Sequence, residues 1–423
     1  MAGTPADRRH VLRQPVFSRL WAASVASSIG SAAGTVALTL LVFSATGSAF
    51  DLALLGIATL VPRAGFGIVA GALADRHDRV RLMILADLTR AVSVGVLALL
   101  LIVQGFQLSV TLVVVVVLAV GQTTFFPAVN AFLPTAMPED DLGTANGLMA
   151  SAQQVTSIVG TPLGGLIVVS LGFTLAFVFN AATYAVSALF IVAVSTLISL
   201  RAPAHLTTPR KPSRFFGQVR EGFRYLRGQP GLLKLTVGPM IANFCIYMLI
   251  SFLVIYVYEV LHQGALVYGF LSATLGIGFA VGALLVGRLR TERNFGRWFC
   301  CGWGAGALCL TGVVFTTNSF VAGLCLFGFG IGGGLGNTTF FTAVQRLVPN
   351  HLLGRYLSLD QAGSLAASPA GQIVGAVFIS TVGLLADFAT AALGVAAVSF
   401  GLLLFSDVRL LGVPEASMPG AGT

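Results

Sequence analysis

Nine residues recur almost unchanged in this chain: GQTTFFPAV at 121–129 returns as GNTTFFTAV at 336–344, seven of the nine identical. Both copies lie in apolar runs, and the match continues outward. Pro134 corresponds to Pro349 and, past a four-residue insertion in the first copy, Gly143 to Gly354 and Gly160 to Gly371. A worn third segment agrees, since GALADRHDRVR at 71–81 aligns with GALLVGRLRTE at 282–292, keeping Gly71 as Gly282 and Arg79 as Arg290. The second half of the chain must therefore fold as the first does.

The repeating unit is built for lipid. A soluble domain carries about a quarter charged residues, whereas this chain of 423 residues is 9% charged and 56% hydrophobic, with a mean hydropathy of +0.91. A bilayer-spanning helix needs about 20 mostly apolar residues. Twelve such runs are found, near 18–45, 52–74, 80–104, 108–133, 143–170, 173–198, 234–260, 266–288, 297–317, 320–346, 354–381 and 384–406. The expected fold is an all-α membrane protein with twelve transmembrane helices in two six-helix repeats. Residues 1–198 form the amino-terminal bundle, 199–233 a linker and 234–423 the carboxy-terminal bundle. Arg8, Arg9, Arg13 and Arg19 precede the first run, which is too long for a signal peptide and has no small-residue cleavage site, so it reads as an uncleaved helix.

The 24 Lys and Arg set the orientation. With the amino terminus inside, all but the intramembrane Arg63 and Arg90 fall in the tails, at the linker and around Arg76–Arg81, Arg288–Arg297, Arg346 and Arg355, and the outer loops hold none. Both termini are expected in the cytoplasm of a bacterial cell, whose inner membrane the chain crosses many times; 22 of the 24 basic residues being Arg hints at a GC-rich bacterial source. The net charge of +9 is then accounted for by topology and attraction to anionic lipid, without nucleic acid. In the linker, Phe215, Val219, Phe223 and Leu226 recur at helical spacing against Arg220, Arg224 and Arg227, as in an interfacial helix on membrane lipid, with a protein-docking site as the alternative.

Several chemistries are absent from the sequence. The cysteines Cys245, Cys300, Cys301, Cys309 and Cys325 have no CxxC spacing and read as packing residues, and the five histidines fall in loops or tails. Only Lys211 and Lys234 are present, neither in a phosphate-binding loop, and neither H-E-x-x-H nor G-x-S-x-G occurs. GFGIGG at 328–333 fits a dinucleotide motif by letter, but it lies inside an apolar helix, where close helix packing explains it better. The expectation is no enzyme, no cofactor, no metal and a monomer, leaving an ion gradient or passive carriage.

Ionisable groups within the membrane are costly and are functional candidates by default. Asp87 and Asp360 lie well inside helices, whereas Glu259 and Asp387 sit at outer ends. Arg90 follows Asp87 by one helical turn, and Arg63 should reach a similar depth. A neutralising cluster of Arg63, Asp87 and Arg90 is one reading; proton carriage by Asp87, or an anionic substrate group held by Arg63, is the other. The repeat partner of Asp360 is the apolar Met149, which makes Asp360 the sharper proton-coupling candidate.

GALADRHDR resembles the G-x-L-x-D-R-x-x-R signature between helices two and three of the major facilitator superfamily, and the twelve helices in two repeats agree with that fold. FSRLWAASVASSIG, ATGSAFDLALLG, LMILADLTRA, LPTAMPEDDLGTANGL and REGFRYLRGQPGLLKL further resemble the subgroup containing the enterobactin exporter and macrolide efflux proteins. The resemblance implies a conformational latch at Gly71, Asp75, Arg76 and Arg79. Physically, Gly71 permits a tight turn and Asp75 can interact with a neighbouring helix dipole. His77 and Asp78 have no evident role. The resemblance also implies a substrate cavity from helices one, four, seven and ten, with Phe125, Phe126, Asn243, Phe244, Tyr247, Asn337, Phe340 and Phe341 beside Arg63 and Arg90. Such a pocket, aromatic and lightly polar, suits bulky amphipathic molecules. Two departures from the resemblance bear on proton coupling and export: Ser31 follows Gly30 where the subgroup often has Asp, and the helix-five element G-P-x-x-G-G of drug-proton antiporters reads here as GTPLGG, with Gly160, Gly164 and Gly165 but Pro162 one position late.

The expected function is a secondary transporter that exports amphipathic small molecules such as drugs, macrolide-like compounds or secondary metabolites, by proton antiport. A lysophospholipid or siderophore carrier, or a non-transporting receptor, are the alternatives.

Overall fold

The computed structural model describes residues 10–199, 228–289 and 294–409, which are helices and short turns with no strand among them. Helix α1 spans Pro15–Thr46 and ends at Gly47, whose N–H returns to the Phe43 carbonyl. Ser48 opens α2, Ala49–Arg76, by accepting from the Asp51 N–H. Asp78 opens α3, Arg79–Gln104, by accepting from Val80 N and Arg81 N. The acid without an evident role in the sequence is thus the amino-terminal cap of α3. Helix α4 is Leu108–Ala136.

Glu139–Ser199 runs on as one helical stretch of 61 residues broken at Gly172, where φ is 82°. It forms α5 (139–171) and α6 (173–199). The later helices are α7, Pro230–Ile250; α8, Ala265–Arg288; α9, Phe295–Val314; α10, Ser319–Leu347; α11, Asn350–Thr381; and α12, Leu384–Leu402. After α7 the chain continues through Leu253–Ile255 and a π-helical turn, Tyr256–Val260. A last turn, Ser406–Arg409, follows α12.

Ten of these elements among the described residues are long and apolar enough to cross a membrane, the 139–197 stretch being counted once although it holds two helices. Helix α9, expected as a span, falls short because Arg297, two tryptophans and several glycines dilute its apolar character. The linker helix expected at Phe215–Leu226 lies outside the described residues.

The chain forms two compact units, Met1–Pro212 with Ala265–Phe270, and Ser213–Gly264 with Leu271–Thr423. In the first, α1 packs on α5 and α6, α3 lies against α4 and α6, and α2 against α4. Phe17, Leu20, Met83, Phe132 and Leu133 fill one end of its core. In the second, α9 packs on α10 and α12, and α7 on α11 and α12, around Leu235, Phe299, Val344 and Tyr356.

Helices in lipid associate through close van der Waals packing, which small residues permit. A Cβ on Gly164 of α5 would stand 2.5 Å from the Ala33 carbonyl of α1, and one on Gly160 2.6 Å from Ala32 Cβ. The GFGIGG segment does the same in α10. A Cβ on Gly332 would fall 2.2 Å from the Gly302 carbonyl of α9, and one on Gly330 2.4 Å from the Leu275 carbonyl of α8. Close packing, and not nucleotide binding, is what these glycines serve. The two turns with a positive-φ glycine before α6 and α12 are equivalent: Gly172 and Gly383, at φ 82° and 116°, are 211 residues apart, as are Gly160 and Gly371. Only glycine adopts this backbone without strain, so the repeat persists here in geometry where the letters around it have diverged.

Candidate functional site

Four serines recur along α1 at helical spacing, Ser24, Ser27, Ser28 and Ser31, and they face one wall of a cavity of about 350 Å3 in the first unit. Helix α4 supplies Gln122, Phe125, Phe126 and Asn130, α5 supplies Asn146, Met149 and Gln153, and α3 supplies Arg90. A more open hollow of about 540 Å3 shares Ser28, Ser31, Gln122 and Gln153 with it, and adds Thr35, Arg63, Gln154 and Ser157. Phe125 and Phe126 are among the lining residues, but hydroxyls and amides outnumber aromatic rings on these walls. The polar lining escaped a reading tuned to charges and aromatic groups. Two signals were available for it: the serine stripe of α1, and Gln122, which sits inside the repeated nonapeptide.

Arg90 is 2% exposed and Asp87 fully buried. An Arg90 Nη2 N–H donates to Asp87 Oδ1, and the other carboxylate oxygen accepts from Ser187 Oγ of α6 at 2.6 Å. The guanidinium also lies over two rings, 4.4 Å from the Tyr184 centroid and 4.9 Å from that of Phe125. Tyr184 Oη is hydrogen-bonded at 2.9 Å to Ser31 Oγ. The chain Ser31–Tyr184–Arg90–Asp87–Ser187 thus joins α1, α6 and α3. Both charges are compensated within it, the condition for burying an ion pair in low dielectric. Ser187 and Tyr184 were not singled out in the sequence; they are about a hundred residues from their partners, and no local pattern marks them.

Arg63 donates through Nη2 to Gln122 Oε1, so the two arginines border the cavity and hollow on either side of one amide. At the α2–α3 turn, the surroundings of Gly71 and the side chains of Asp75 and Arg76 lie outside what the structure describes. Arg79 Nη1 donates to the Ala131 carbonyl near the end of α4 at 2.7 Å. In the helix-five element, Gly160 and Gly164 press on α1, Gly165 faces the Ala265 carbonyl, and Pro162 leaves α5 helical, the break coming at Gly172.

The remaining candidates belong to the second unit. Asn243, Phe244 and Tyr247 are half-buried on α7, and the Phe244 carbonyl abuts Gly371 of α11. Phe340 turns inward against Phe299, whereas Asn337 and Phe341 are exposed, Phe341 to 41%. Asp360 is 8% exposed on α11. One turn before it, Tyr356 hydrogen-bonds Thr236 of α7, and three residues after it Gly363 meets Met240 of α7, so Asp360 lies on the α7-facing stripe. Among the described residues, no three of His, Cys, Asp or Glu gather where they could hold a metal ion.

Residues 10–417 match the family described as transmembrane secretion effector. Macrolide efflux protein A of Streptococcus pyogenes is 26% identical over 379 residues, covering 87% of this chain and 90% of its own. The multidrug efflux pump Tap of Mycolicibacterium fortuitum is 27% identical over 420 residues, covering 96% of each chain. The crystal structure of the nucleoside transporter NupG shares the fold, with a TM-score of 0.74 over 92% of this chain and 98% of that one at 10% identity. With bilayer-length helices repeated in two halves and a family match along nearly its whole length, this multi-pass membrane protein belongs to the transmembrane secretion effector family of major facilitator transporters, in the macrolide efflux subgroup.

Proposed function

We propose that the protein exports amphipathic small molecules, drugs or secondary metabolites, in exchange for protons moving inward, with both termini in the cytoplasm. The observation that carries this reading is the cavity of about 350 Å3 in the first unit, whose hydroxyl and amide walls include two phenylalanine rings and an arginine neutralised by Asp87. Such a lining offers hydrogen bonds and ring faces without a net charge, which suits a ligand with a large apolar body and scattered oxygens or nitrogens. The relatives named as macrolide and multidrug efflux proteins support the same direction.

In this reading Asp360 carries the proton. Its repeat partner, Met149, lines the cavity of the first unit, and this reading gives Asp360 the equivalent place in the second. Gly71, Asp75, Arg76 and Arg79 latch the α2–α3 turn, and Arg79 makes the cross-contact to α4. The test is efflux of a panel of dyes and macrolides from cells, with and without a proton gradient, comparing wild type with Asp360→Asn. Gradient-dependent efflux lost in the variant is expected. Efflux of no compound under any gradient would overturn the exporter reading.

A further inference from the structure

Asp387 is the acid that neither the cavity nor the ion-pair chain accounts for. It lies in the first turn of α12, is 0% exposed, and both of its carboxylate oxygens are buried without a hydrogen-bond partner. An acid in the first turn of a helix ordinarily accepts from the free amino-terminal N–H groups or balances the helix dipole. Neither oxygen accepts here, so a capping hydrogen bond is not its role; the helix dipole acts on it, but no partner completes the site.

Packing does not explain it either. Gly383 and Gly172 open equivalent helices, which aligns Phe388 with Phe177, both fully buried, and Asp387 with Ala176. The sister bundle closes the same spot with a methyl group. Helix α12 packs on α7, α9 and α11. At this end the element after α7 brings Tyr256, which stacks on Phe388, together with Tyr258, Glu259 and, just beyond, His262. The ends of α9 and α11 bring no charged side chain, and the start of α10 brings Cys325. None of these donates a hydrogen bond to Asp387, and no cation among the described residues forms an ion pair with it. Burying an acid without a donor or a cation beside it costs free energy, so the fold keeps Asp387 at this place against a packing cost that Ala176 does not incur.

We infer that Asp387 is a proton-binding residue of the transport cycle: it is protonated in the conformation of this structure, and its proton leaves to water in the conformation that opens the start of α12. The inference rests on the proton-exchange reading and adds to it a site distinct from Asp360.

The test uses the full-length protein in liposomes, with ethidium as probe. Uphill ethidium transport driven by an imposed pH gradient and gradient-free ethidium exchange are measured for wild type, Asp387→Asn and Asp387→Glu. Expected are loss of uphill transport with retained exchange in Asp387→Asn, and retention of both in Asp387→Glu. If wild type itself shows no gradient-driven transport, the proton-exchange reading fails and this inference with it. If wild type and Asp387→Asn drive ethidium uphill equally, that reading stands and Asp387 is not a coupling site. Should Asp387→Asn lose exchange as well, infrared spectra of wild type and Asp387→Glu decide: a carbonyl stretch of a neutral carboxylic acid that moves with the substitution supports the site, and its absence overturns it.

Discussion

Arg90 combines a buried charge, two ring faces and a carboxylate, and removal of any one partner exposes the cost of the others. Truncating one side of a buried pair typically costs about 3–5 kcal/mol because an uncompensated charge remains. Arg90→Ala should lower thermal stability in detergent by that order, and Asp87→Leu combined with Arg90→Met should recover most of it. A double variant no more stable than either single one would show that the pair does more than neutralise itself. Asp78→Ala should cost about 1 kcal/mol through its lost cap, read from the same melts. The spacing of Asp87 and Arg90 was legible because one helical turn is a local property. Their partners Ser187 and Tyr184 were not, since α6 meets α3 only through the fold. Asp78 was misread as surplus because a signature weighs its named positions, whereas capping depends on which residue stands first before the helix.

The α1–α5 and α9–α10 contacts depend on residues that present no side chain. Gly164→Leu must displace α1, because the Ala33 carbonyl already stands 2.5 Å from where a Cβ would sit. A loss of about 1–3 kcal/mol, or failure to assemble, is expected from overpacking of this kind, measured as the yield and melting point of purified protein. At the end of α12, Lys234 Nζ donates to Asp407 Oδ2 at 2.5 Å and lies over the Phe405 ring. Lys234 holds the Asp407 carboxyl below the usual carboxylate range, chiefly through that hydrogen bond. The folded protein therefore takes up this proton less readily than the unfolded chain. The stabilisation is present above the ordinary value of about 4 and is lost as pH falls through the lower folded value. Asp407→Asn should flatten that part of the acid dependence of the melting point, and an unchanged acid slope would place the effect elsewhere. Helix ends were legible to within a few residues from apolar runs and glycines. The junction of α5 and α6 was legible too, since runs ending at 170 and beginning at 173 leave no room for a loop; the structure adds that one glycine at positive φ makes the turn.

For the molecule as a whole, the arginine distribution makes a topological statement that can be checked. After replacement of the native thiols, a cysteine at His262 should react with an impermeant maleimide added outside intact cells, and cysteines at His77 and Asp407 only after permeabilisation. The opposite pattern would reverse the orientation. The repeated nonapeptide made the two-bundle architecture readable, because seven shared residues in nine at equivalent depth demand two copies of one fold. It could not show which repeat positions have changed their work. Met149 and Ala176 are apolar in the first unit, and their partners Asp360 and Asp387 are acids in the second; the alignment marks the first of these exchanges, and burial and bonding bring out the second. The glycine seam of α10 bears on this inequality. Where Gly332 meets Gly302 and Gly330 meets α8, the helices approach too closely to admit a water file or a lipid tail, so that wall acts as electrical insulation. Under the proposed proton exchange any leak would waste the gradient, and a seam packed this closely would seal one flank of the acid-bearing half.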